Sequence, residues 1–162
     1  MMGGYACSAK KGVLLLSATF MLLPTACRCR GGPPGYSELC TAGRSERPRL
    51  LRQFDPEQQV ALYLAVMQRI HPPDLGLADV VAELGERGVL IVAEKLEASS
   101  SDVERVDLCR VLVRMQELGT YDVRGSSTLQ RVVAKAIEDA KDEDWRAELR
   151  EDSLAIGWHP SG

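Results

Sequence analysis

Residues 101–119 read SDVERVDLCRVLVRMQELG, and this stretch decides the fold. Ser101, with Glu104 three places on, is a capping box, in which hydroxyl and carboxylate satisfy the free N–H groups at the start of a helix. Leu108, Val111, Leu112, Met115 and Leu118 then recur at the three- and four-residue spacing that lines one side of a helix. Gly119 ends the run, since glycine enters the left-handed conformation of a helix C-terminus without steric cost. Cys109, set among Val106, Leu112 and Val113, reads as a small buried hydrophobe.

The same pattern extends in both directions. Upstream, Asp55-Pro56-Glu57-Gln58 supplies a cap and a proline at the first helical position, and Val60, Tyr63, Leu64, Met67 and Ile70 follow until Pro72-Pro73. A second helix is expected at 75–86, with Leu77, Val80, Val81 and Leu84 inward. A glycine corner at 85–88 leads to a third at 89–98, carrying Val89, Val92, Ala93 and Leu96. Downstream, Ser126-Ser127 opens a fifth helix with Leu129, Val132, Val133, Ala136, Ile137 and Ala140 inward. Asp142 or Asp144 caps a short sixth, anchored by Trp145 and Leu149. Short connections force neighbouring helices to run antiparallel. With 5% aromatic and 45% hydrophobic residues, the composition suits helix packed on helix. The expectation is an all-α module over 55–155, built of antiparallel α-hairpins with about five to six helices, and a tail at 156–162.

The segment Leu84-Gly85-Glu86-Arg87-Gly88-Val89, followed by Leu96, resembles the start of an inner helix in HEAT-like repeats. Asp102-Val103-Glu104-Arg105 with Leu108 and Leu112 resembles the outer helix that comes next. About 40 residues on, DEDWRAEL at 142–149 echoes that outer helix, Arg146 matching Arg105 and Leu149 matching Leu108. The echo stops at Asp152, which stands in the place of Val111. The resemblance implies a short solenoid that presents a surface to another protein and contributes no chemistry. A plain helical bundle is the alternative.

The first 26 residues read as a removable export signal. Lys10 and Lys11 precede an apolar run at 12–23 (GVLLLSATFMLL), too short for the ~18–20 residues that a membrane-spanning helix needs. Leu23-Pro24-Thr25-Ala26-Cys27 resembles a bacterial lipobox, with Pro24 where lipoboxes carry an aliphatic residue. The resemblance implies lipidation at Cys27 and a chain held on a membrane of the cell envelope; a soluble exported protein is the alternative. Residues 27–54, rich in Gly, Pro and Arg, read as a flexible tether. Within it, Cys29 and Cys40 could close a small disulfide loop after export.

Without residues 1–26 the chain has 18 basic against 23 acidic side chains, a net charge of −5. Basic residues concentrate only at 28–52, without interleaved aromatics, which speaks against nucleic acid as a partner. Carboxylates crowd 138–152 and read as a solvated helix surface. His71 follows the first helix and His159 lies in the tail, neither beside a catalytic partner, and the serines at 99–101 and 126–127 stand at capping positions. The cysteines and histidines lack the spacing of a zinc site. The chain therefore reads as a non-enzymatic adaptor for a protein partner, without cofactor or metal. Trp145 and Trp158 are its candidate contact residues, each with a packing role as the alternative. Two rival readings are a periplasmic enzyme or metal protein, in which Cys29, Cys40 and His71 or His159 converge, and a subunit of a larger envelope complex.

Overall fold

The computed structural model describes residues 32–70 and 74–158. Among them the chain forms eight α-helices and no strand: α1 (Tyr36–Thr41), α2 (Arg47–Leu51), α3 (Pro56–Met67), α4 (Leu75–Ala82), α5 (Gly85–Ala98), α6 (Asp102–Leu118), α7 (Ser127–Asp139) and α8 (Glu143–Ile156).

Helix starts follow local chemistry. Asp55 accepts from the Gln58 N–H at 3.0 Å, Ser101 from Glu104 at 3.4 Å, Ser126 from Leu129 at 3.3 Å, and Asp142 from both Asp144 and Trp145. Gly119 ends α6 at φ 66° and Gly157 ends α8 at φ 95°. The cost of four orphan N–H groups at each helix start is thus partly met from the sequence immediately before it.

Packing is regular. Each consecutive pair, α1–α2, α3–α4, α5–α6 and α7–α8, is in contact as a hairpin. In addition α2, α4, α6 and α8 touch in that order, as do α1, α3, α5 and α7. One apolar core runs the length of the molecule, from Tyr36 and Leu39 through Leu62, Leu77, Val92, Leu112 and Val133 to Leu149 and Trp158.

The six helices expected from residue 55 onward are all present, and the count rises to eight because residues 36–51 add two more. This part of the expected tether is packed: Tyr36, Leu39 and Leu51 are buried, the two leucines completely. Burial of these apolar side chains offsets the poor helix-forming composition around them. Three smaller differences follow from packing. The corner expected at 85–88 lies earlier, with Gly85 at φ 57°, and Gly88 sits inside α5, where a Cβ would come within 2.6 Å of Leu84 Cβ and 3.1 Å of Met115 Cε. Leu118, expected inward, is 46% exposed. The last helix is not short: at 14 residues it equals α5.

Candidate functional site: a groove across three helices

Arginines fasten successive hairpins. At the start of α6, Arg105 donates to Asp102 Oδ1 at 2.9 Å, to the Ser99 carbonyl at the end of α5 at 2.9 Å, and to the Asp139 carbonyl at the end of α7 at 3.1 Å. Asp102 Oδ2 in turn accepts from the N–H groups of Lys141 (2.8 Å) and Asp142 (3.0 Å), where α8 begins. Burial works to raise the Asp102 carboxyl, but the two N–H groups and Arg105 outweigh it and hold it below its ordinary range. Arg146 at the start of α8 donates to the Ala140 carbonyl at the end of α7, and Arg47 at the start of α2 donates to the Leu39 carbonyl of α1 at 3.1 Å. Arg47 and Arg44 also pair with buried Asp74, which precedes α4. These bonds satisfy carbonyls that helix C-termini leave open.

The face built from α4, α6 and α8 carries a groove of about 400 Å³. Leu75, Ala78 and Asp79 line it from α4, Arg110, Val113, Arg114 and Glu117 from α6, and Asp152 from α8. Leu75 is 55% exposed in this lining. Both arginines are held by carboxylates on two sides. Arg114 pairs with Asp79 at 2.6 Å and with Glu117, and Arg110 with Asp107 at 3.1 Å and with Glu148.

Asp152 has no such partner, and its Oδ2 is buried without a hydrogen bond from the protein. Burial pushes the Asp152 carboxyl up to about 7, against the pull of Arg110. Burial also raises Asp107 to about 6, with Arg110 again opposing; the backbone carbonyl of Asp107 accepts from the buried Tyr63 hydroxyl at 2.9 Å.

The residues singled out from the sequence lie elsewhere. Cys27, Cys29, His71 and His159 fall outside the described residues, so a lipid anchor at Cys27 and a Cys29–Cys40 disulfide do too. Cys40 is half-buried on α1, and Cys109 is fully buried, its thiol raised by that burial. Trp145 packs against the edge of the core. Trp158 is folded back and 5% exposed; its ring N–H donates to the Arg124 carbonyl at 3.1 Å, and Arg124 Nε donates to the Ile156 carbonyl at 3.0 Å. Among the described residues no group of His, Cys, Asp or Glu is placed to hold a metal ion, and no helix is long and apolar enough to cross a membrane.

The groove itself was not anticipated. Its signal was Asp152, which stands in α8 where the echo of α6 would place the apolar Val111. No protein-family model matches the chain, and neither does any curated protein or solved structure.

Proposed function

We propose that this chain is a non-enzymatic helical scaffold of the cell envelope, a short HEAT-like stack of α-hairpins that offers its α4–α6–α8 groove to a protein partner and is held on a membrane by lipid at Cys27. The groove carries the proposal, because side chains from three helices far apart in sequence converge on one open concavity that mixes an exposed leucine with fixed charges. The stack is supported by the alternation of contacts between helices and by the arginines that repeat one task at the starts of α2, α6 and α8. Export and the anchor rest on residues 1–27 alone.

Intact-mass analysis of the full chain expressed in a bacterial host, in membrane and soluble fractions, tests the anchored half of this function. The expected mass is that of a chain starting at Cys27 with added acyl groups, lost in Cys27→Ala. An unmodified chain retaining residues 1–26 in the soluble fraction would remove the envelope from the proposal.

A further inference from the structure

Resting on the scaffold function, we infer that the groove's occupant is a basic, amphipathic helical segment of the partner, which places a lysine or arginine against Asp152 and apolar side chains over Leu75, Ala78 and Val113. Charge favours this occupant. Asp79, Glu117 and Asp152 in the lining, with Glu148 beside Arg110, stand against Arg110 and Arg114, so the groove and its border carry more carboxylate than guanidinium. Each arginine is already engaged by two carboxylates, so an acidic segment would have to displace one of them. A cation breaks no existing ion pair at Asp152, which lines the groove and forms none among the described residues.

The geometry sets the rest of the occupant's character. A volume of about 400 Å³ takes a few side chains and not a whole domain. Leu75, 55% exposed at the rim, supplies apolar surface that a helix with one apolar face would cover. A cation beside Asp152 stabilises its ionised form, so occupancy and ionisation are linked. The groups that act on Asp152 are Arg110 and Asp107 of α6 and Glu148 and Glu151 of its own helix, with Arg110 the only cation among them, and Asp152 acts in turn on the Cys109 thiol of α6 and the Tyr63 hydroxyl of α3. With Asp152 raised to about 7, affinity for a basic segment rises between pH 6 and pH 8.

Fluorescence anisotropy with the full chain tests this, using a labelled helical peptide of leucine and lysine and a counterpart of leucine and glutamate. The lysine peptide is expected to bind saturably, roughly tenfold more weakly to Asp152→Asn and to Leu75→Ser, and unchanged to Leu90→Ser on α5. Its affinity rises from pH 6 to pH 8 in the wild type and stays flat in Asp152→Asn. The asparagine is isosteric with the protonated carboxyl, so this variant keeps the fold, which circular dichroism verifies. Absence of lysine-peptide binding, or equal binding to wild type and Asp152→Asn, overturns the inference. Binding of the glutamate peptide that depends on Leu75 overturns the basic occupant and leaves the scaffold standing. Loss of both peptides, together with no partner contact at the groove in cells, removes the scaffold as well.

Discussion

Arg105 shows how much one side chain can carry here. It is 6% exposed, pairs with Asp102, and ties the ends of α5 and α7 to the start of α6 through two carbonyls. Removing it takes one of three donors from the Asp102 carboxylate and the guanidinium donor from two part-buried carbonyls at once. Arg105→Ala is therefore expected to cost about 3 kcal/mol in urea unfolding. Arg146, whose side chain is 25% exposed and which reaches one carbonyl, should cost about 1 kcal/mol on the same substitution. The pairing of these two arginines was legible as a spacing in the sequence, and the caps Asp55, Ser101, Ser126 and Asp142 were legible as residue types. Arg47 was not, because it stands among other arginines behind a Gly/Pro-rich run and nothing in its neighbourhood repeats. Trp158 left two outcomes open, and its indole is satisfied by the Arg124 carbonyl inside the fold.

At the scale of the element, helices of 12 to 17 residues declare themselves through their apolar period, as α3, α5, α6, α7 and α8 do. Helices α1 and α2, with six and five residues, are too short to show one. Their helicity comes from tertiary packing, since isolated helices of this length are unstable in water. Leu51, completely buried, is the test of that packing. Leu51→Ala is expected to lower unfolding stability by 2–4 kcal/mol, roughly the cost of emptying a leucine site in a core. A substitution with no effect on stability would return residues 36–54 to the status of a tether. The acidic stretch at 138–152 was likewise only partly readable. Glu138 and Glu151 are solvated as expected, whereas Asp152 turns into the groove, and one-dimensional spacing does not tell these fates apart.

For the whole molecule, the charges bound to the fold set an acid-side optimum. Asp107 and Asp152 have carboxyls raised to about 6 and about 7, above the unfolded value of 3.8, so the native chain holds more protons than the unfolded one between those limits. Stability therefore falls as pH rises from about 4 to 7. Glu83, Asp102 and Asp139 are held below their ordinary range, Glu83 by Arg52, Asp102 by the N–H groups of Asp142 and Lys141, and Asp139 by Lys135. Their contribution is present above the unfolded values and is lost as pH falls below about 4. Thermal melts should show a maximum near pH 4 and a decline toward pH 8, of order 1 kcal/mol for each raised group. Asp152→Asn should flatten that decline.

The all-helical architecture was readable because hairpin packing is local, the two helices of each hairpin meeting one another and each helix meeting the next but one. The groove was not, because it joins Leu75, Val113 and Asp152, residues that no local pattern relates. Whether that groove is the working surface is decided most directly by site-specific photocrosslinking in cells producing the full chain. A photoreactive residue replaces Leu75 at the groove rim in one variant, or the 68% exposed Leu90 on α5 in another. A discrete adduct with one partner protein at position 75 and none at position 90, lost when Asp152→Asn is added, is the predicted result. Adducts at position 90 alone, at both positions alike, or at position 75 regardless of Asp152 would contradict it.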